Sequence, residues 1–311
     1  MKILVVIDGS SYSKMATSIV WALRLPHNTV VTVMTVVPEH TFLGGITLGK
    51  LKGTQARKEA QQQRALELLQ HSVKALGNAS LKVDSLVRWG NPAEEILRET
   101  DESGASLVVM GAKGIADPLP FRLGSAAQTV MKHAKTSVLL VREKPAARSR
   151  AATPRKTGLS RVILATDGSK YSEAVTRFLL NLPLPRQCEV IVITALQSHL
   201  AALLKTPTLD FQTNQELLAQ LQASEESEAR KITDRIGKQF QAKGRKAVSA
   251  VMRGGAAECI LAAAREYNPD IIALGSRGLT GIESLLLGSV AERIARYANC
   301  SVLIGRTLNK A

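Results

Sequence analysis

The chain has 311 residues, enough for two domains at about 100–200 residues each. Charged residues make up 22% and apolar residues 45%, which excludes a wholly disordered protein, and no apolar run of about 18 residues marks a membrane-crossing helix. The net charge is +15, but residues 142–161 hold 7 basic and 1 acidic side chains, against 16 and 11 in residues 1–141, so the folded parts are only mildly basic and nucleic acid is disfavoured as a partner.

In chain order, KILVVI (2–7) reads as a short strand, apolar throughout as a parallel sheet covered on both faces requires. Asp8-Gly9-Ser10 follows; Ser10, Ser11 or Ser13 caps a helix whose Ala16, Ile19, Val20 and Leu23 share one face. TVVTVMTVV (29–37) is a second strand, and a loop with Gly44, Gly45 and Gly49 leads to an amphipathic helix over 55–76. KVDSLVR (82–88) is a third strand, Asn91-Pro92 opens a helix over 92–103, and SLVVMG (106–111) is a fourth strand. Gly124-Ser125 opens a helix over 125–135, and SVLLV (137–141) is a fifth strand.

The chain then repeats itself. ILVVIDGSSYS (3–13) parallels VILATDGSKYS (162–172), VRWGNPAEEI (87–96) parallels VMRGGAAECI (251–260), and SVLLV parallels SVLIG (301–305). The offset is 159 at the first motif and 164 at the later ones, so the second copy carries a net insertion of five residues. Its expected features are an exposed loop around 197–215 and a helix near 216–243. The predicted boundaries are a domain over 1–143, a basic Pro/Ala-rich linker over 144–159 and a domain over 160–311. Alternating strands and helices predict α/β domains with doubly wound parallel sheets, whose ligands bind beyond the carboxyl ends of the strands.

One spacing carries chemistry. Gly111-x-x-Gly114, nine residues, then Gly124-Ser125 recurs as Gly275-x-x-Gly278, nine residues, Gly288-Ser289, each time after a strand and before a helix. Glycines let backbone N–H groups approach an anion, and a helix start favours negative charge. Lys113 and Arg277 stand at the same place in the loop and add a cation. The histidines (27, 40, 71, 133, 199) have no metal-ligand spacing, and the three cysteines form no CxxC pair. No GxxxxGK[ST] or GxSxG motif occurs, and with 4% aromatics stacking platforms for nucleic acid are not expected. The apolar run at the N-terminus is too short for a signal peptide and Asp8 interrupts it; with three cysteines and no disulfide framework expected, a cytoplasmic location is the default expectation.

The strand-ending DGS, the glycine signature and the last strand SVLLV together resemble the universal stress protein family, and two copies resemble its tandem type. The resemblance implies two tandem, Rossmann-like, five-stranded parallel sheets of the adenine nucleotide alpha hydrolase-like kind, strand order 3-2-1-4-5, binding ATP or another adenine nucleotide. It places Asp8 and Asp167 at the nucleotide or metal end of each pocket, toward nucleotide-bound Mg²⁺, and Val36 and Ala195 against adenine. Gly111, Gly114, Gly124 and Ser125, with Gly275, Gly278, Gly288 and Ser289, would hold phosphates and ribose, and Ala126 and Val290 would offer backbone N–H groups. Ala195 is smaller than Val36, so the second pocket is expected to be the looser. The two units are expected to pack as an intramolecular pseudo-dimer through their last strands, with a homodimer and an unidentified protein partner compatible with this. The expected role is a regulatory, stress-response ATP-binding protein with no catalytic residues and slow hydrolysis at most. The alternatives are a slow nucleotide hydrolase or transferase on the same fold, and a scaffold with degenerate pockets.

Overall fold

Ile3, Leu4 and Val5 are all buried, so strand β1 (Lys2–Val6) is covered on both of its faces. That is the condition for a strand inside a parallel sheet flanked by helices. The computed structural model describes residues 1–39, 54–77, 81–114, 123–143, 158–196, 211–279 and 287–306. Gly44, Gly45, Gly49 and most of the linker lie outside the described residues. The chain divides into two compact units, the second being Leu159–Gly305.

In the first unit, β1 leads to α1 (Ser11–Ala22), β2 (Val30–Val37), α2 (Thr54–Leu76), β3 (Lys82–Trp89), α3 (Pro92–Ser103), β4 (Leu107–Gly111), α4 (Ser125–His133) and β5 (Ser137–Val141). The sheet order is β3-β2-β1-β4-β5 and every pairing is parallel, as the resemblance implies. The second unit has β6 (Arg161–Ala165), α5 (Lys170–Asn181), β7 (Glu189–Leu196), α6 (Phe211–Ala242), β8 (Ala247–Arg253), α7 (Ala256–Tyr267), β9 (Ile271–Gly275), α8 (Ser289–Tyr297) and β10 (Ser301–Gly305). Its order is β8-β7-β6-β9-β10, again parallel throughout.

The boundaries follow the sequence with small differences. Strand β1 ends at Val6 rather than Ile7, although the Ile7 N–H still donates to the Met34 carbonyl at 2.9 Å. Helix α4 stops at His133, before 135, because Ala134 turns to extended backbone. The larger difference is α6. Residues 211–215, expected in a loop, are helical, and the helix runs 32 residues. No proline or glycine stands between Pro207 and Gly237, so the sequence has no breaker where the loop was expected to end.

The repeated Asp-Gly-Ser is a turn in which each residue has a separate task. Asp8 Oδ1 accepts from the Ser10 N–H at 3.0 Å, and Asp167 Oδ1 from the Ser169 N–H at 3.0 Å. Gly9 and Gly168 take φ of 88° and 76°, which side chains disfavour. Ser10 and Ser169 then cap α1 and α5 by accepting from the N–H groups of Ser13 and Ser172. Among the serines considered as caps for α1, Ser10 is the one the structure uses.

The N-terminal ends of the second sheet carry an ionic cluster. Glu189 Oε1 is 3.0 Å from Lys246 Nζ, and Oε2 is 3.1 Å from Arg161 Nε. The Lys246 hydrogen bond, helped by Arg161 and opposed by partial burial, holds the Glu189 carboxyl below its ordinary value. A lowered carboxyl stabilises the fold at neutral pH and loses that contribution as pH falls below about 4.3, the unfolded value. Glu189→Gln is therefore expected to lower stability at pH 7 and to flatten the acid side of the stability profile. Urea unfolding at a series of pH values between 3 and 7 reads this; parallel profiles for the two proteins would contradict it.

Cys188, Cys259 and Cys300 are buried and form no disulfide among the described residues; burial pushes the Cys188 thiol up to about 12, and burial followed by Glu258 raises Cys259, which disfavours the reactive thiolate at these two.

Candidate functional site

Because each sheet is parallel with β1 or β6 at the point where strand order reverses, the carboxyl ends of β1 and β4, and of β6 and β9, open on one crevice per unit. The first crevice holds a cavity of about 350 Å³. Asp8 lies just past the end of β1, Val36 on β2, Gly111 at the end of β4, Lys113 and Gly114 beyond it, and Gly124, Ser125 and Ala126 at the start of α4; all line it. The second cavity, about 190 Å³, is lined by Asp167, Ala195, Gly275, Arg277, Gly278, Gly288, Ser289 and Val290. The sixteen residues picked from the sequence thus fall into two sets of eight, one set per cavity. The second cavity is the smaller, against the expectation of a looser pocket. Ala165, Ala195 and Ala256 stand there where the first has Val6, Val36 and Pro92, so the lining side chains do not account for the difference.

The glycine loop is pinned at both ends. The Ala112 N–H donates to the Val141 carbonyl at 2.8 Å, and the Gly124 N–H returns to the Ala112 carbonyl at 2.9 Å. In the second unit the Ser276 N–H donates to the Gly305 carbonyl at 3.0 Å, and the Gly288 N–H to the Ser276 carbonyl at 2.7 Å. These bonds bring Gly124 and Gly288 back beside the first glycines and aim the helix starts at the crevice. Helices α4 and α8 begin after a glycine and have no side-chain cap. Their first-turn N–H groups belong to Ser125, Ala126 and Ala127, and to Ser289, Val290 and Ala291, all of which line the cavities. An uncapped helix start of this kind is a ready receptor for an anion.

The glycines differ in what they permit. A Cβ on Gly111 would stand 2.8 Å from Tyr12 Cβ, and one on Gly275 2.9 Å from the Tyr171 carbonyl carbon. These two allow α1 and α5 to press against the strand ends. A Cβ on Gly114 would stand 2.9 Å from Asp8 Oδ2, and one on Gly278 2.8 Å from Asp167 Oδ2. The aspartates are therefore packed on the loop, and Asp167 Oδ2 also accepts from the Leu279 N–H at 3.0 Å.

Electrostatically each cavity is spare. Among the described lining residues the charged ones are Asp8 and Lys113 in the first, Asp167 and Arg277 in the second. Lys113 is buried. Arg277 Nη1 donates to the Tyr171 hydroxyl at 2.9 Å, with the guanidinium 5.3 Å from that ring's centroid. No group of three or more His, Cys, Asp or Glu side chains fit for a metal occurs among the described residues. With one carboxylate per cavity, already accepting backbone N–H bonds, a magnesium ion would draw its other ligands from phosphate and water.

The sequence reading missed the apolar wall from α3 and α7, where Ile96 and Ile260 line the two cavities, although both close the repeated segments 87–96 and 251–260. It also missed Tyr171, whose signal is the shared Tyr of DGS-x-YS.

The family model for the universal stress protein family matches residues 1–142 and again 158–306. The chain belongs to the universal stress protein family. Two matches in one chain make it a tandem member of that family, and the resemblance read from the glycine spacing is right. A universal stress protein of Methanocaldococcus jannaschii is 30% identical over 144 residues, 46% of this chain and 80% of its own length. The universal stress protein YxiE of Bacillus subtilis is 25% identical over 153 residues, 47% of this chain and 99% of its own. The crystal structure of a universal stress protein from Archaeoglobus fulgidus covers 98% of both chains, with TM-score 0.63 at 18% identity, which establishes the Rossmann-like fold. A protein of unknown function from Pseudomonas aeruginosa has the same fold, with TM-score 0.60 at 15% identity over 98% of this chain and 92% of its own. Family membership marks a stress-response protein. No helix among the described residues is long and apolar enough to cross a membrane.

Proposed function

We propose that this tandem universal stress protein is a regulatory protein that binds an adenine nucleotide, with ATP the expected ligand, at its switch-point crevices. The observation that carries the reading is the first cavity. At about 350 Å³ it falls within the usual range for small-ligand sites, about 300–1,000 Å³. An apolar end formed by Val36, Pro38 and Ile96 suits a base, and the opposite end offers glycine amides, the uncapped start of α4 and Lys113 to phosphates. Magnesium enters with the nucleotide, beside Asp8. The second cavity has the same parts in less space and binds more weakly. Mass spectrometry of the small molecules released when the purified protein is denatured tests this: an adenine nucleotide is expected. An empty extract, together with no heat on titrating ATP and Mg²⁺, would move the chain to the scaffold class.

Binding without rapid turnover fits the same residues. Phosphoryl transfer needs metal, cation and a residue that orients the attacking water. The described lining supplies cations but gives each cavity one carboxylate, and that carboxylate is engaged by the turn and the glycine loop. Phosphate release with Mg²⁺ is expected to run well below about 10 per second, a typical enzyme median. Several turnovers per second, lost on Asp8→Asn or Asp167→Asn, would instead identify a nucleotide hydrolase.

A further inference from the structure

Arg277 is an arginine without an acid. Among the described residues no carboxylate forms an ion pair with it, and its one hydrogen-bond partner is the neutral Tyr171 hydroxyl, at 2.9 Å. Asp167, the carboxylate of the same cavity, accepts instead from the Ser169 and Leu279 N–H groups. Arg277 Nε is buried and has no acceptor among the described residues, a state that ordinarily costs stability. Tyr171 itself is buried on the first turn of α5, where its backbone carbonyl packs against Gly275, and burial restricts the rotamers of its ring. The guanidinium lies 5.3 Å from the centroid of that ring, and Lys170 Nζ also lies 5.3 Å from it. Two cations thus flank one aromatic ring next to a glycine-lined cavity.

We propose that Tyr171 is a positioning residue that holds the Arg277 guanidinium at the wall of the second cavity, so that this cavity selects its nucleotide by phosphate charge. This rests on the nucleotide reading above and adds to it the basis of selection. The hydroxyl takes one Nη1 proton and the ring limits the tilt of the guanidinium plane, which leaves the other Nη protons to meet phosphate oxygens. A guanidinium fixed in this way offers parallel N–H bonds to phosphate, which a mobile ammonium does not. The first cavity lacks the device. Lys113 stands in the place of Arg277, and Tyr12, in the place of Tyr171, makes no side-chain hydrogen bond among the described residues.

The test uses the full chain carrying Gly124→Val, which removes the first site, and calorimetric titration with ATP, ADP, adenosine and inorganic triphosphate. Adding Tyr171→Phe is expected to weaken ATP and inorganic triphosphate about tenfold and to leave adenosine unchanged; Arg277→Ala is expected to weaken them by more. Arg277→Lys is expected to recover only part of the loss. The ATP-to-adenosine ratio is the readout that a merely structural role for Tyr171 would not move, since general loosening of α5 weakens all four ligands alike. In the wild-type background a two-site titration gives the same information without Gly124→Val, because Tyr171→Phe should weaken one equivalent and Tyr12→Phe neither. An unchanged ratio in Tyr171→Phe overturns the role of Tyr171 while leaving the nucleotide reading in place. Loss of all binding on Gly124→Val alone confines that reading to the first cavity and overturns the inference. No binding by the wild type overturns both.

Discussion

Gly305→Val is expected to destabilise the second unit by about 3 kcal/mol, the upper part of the usual range for overpacking a core. Gly305 ends β10, and a Cβ there would overlap Val175 Cβ on α5 and stand 2.8 Å from Val175 Cα. Rotamer changes cannot relieve a clash with a helix backbone, so the helix itself must move. At the matching positions of the first unit the sizes are reversed: Val141 ends β5 and Ala16 lies on α1, both fully buried. By the repeat offsets Ala16 matches Val175 and Val141 matches Gly305, so the bulky member has changed sides. Val175→Ala alone should cost about 1–3 kcal/mol through the space it leaves, and Val175→Ala with Gly305→Val should recover most of both losses. Urea midpoints for the four proteins of this cycle give the coupling. Strictly additive losses would mean that the exchange between the repeats is not a packing exchange.

Gly288→Val is expected to weaken nucleotide binding in the second cavity at least about 100-fold, a loss of about 2.7 kcal/mol, while the first cavity keeps its affinity. The φ of Gly288 is −77°, which any residue adopts, so space rather than conformational freedom is the constraint. A Cβ would stand 3.3 Å from Arg277 Cα and 3.4 Å from the Ser276 carbonyl oxygen. Both are backbone atoms of the loop that returns to Gly288 through its own N–H bond. The methyls of valine would push that loop from the start of α8 and take with it the amides, Ser289 and Arg277. Gly124→Val is expected to do the same to the first cavity. Each variant should remain folded by circular dichroism, unlike Gly275→Val, whose side chain would meet the backbone of Tyr171 and Ser172. Unchanged calorimetric affinity in both single variants and in the double variant would remove the loop from the binding site.

The repeat made the site legible. Because the second copy restates the first at nearly constant offset, each glycine, serine and aspartate of the candidate site was read twice, and the two readings fall in matching cavities. Local chemistry fixed the DGS turn, since Asp, Gly and Ser each answer a demand made within a few residues. It likewise marked α3, where Asn91 accepts from the Ala93 N–H, Pro92 follows, and Gly104 closes the helix at a φ of 62°.

The tertiary structure alone decided what depends on distant neighbours. That Gly111 and Gly275 admit a helix as well as line a cavity, that Asp167 spans to the Leu279 N–H, and that Arg277 leans on Tyr171 are contacts between segments about 100 residues apart. The relative size of the cavities belongs with them. Lining side chains alone make the second cavity the looser; the folded backbone makes it the smaller. Sequence determines which groups are available and how each turn is closed, because those choices are settled by energies acting within one turn of chain. Which faces meet, and how much room they leave, is set by packing of whole helices on a sheet, where every side chain shares its space with others far along the chain.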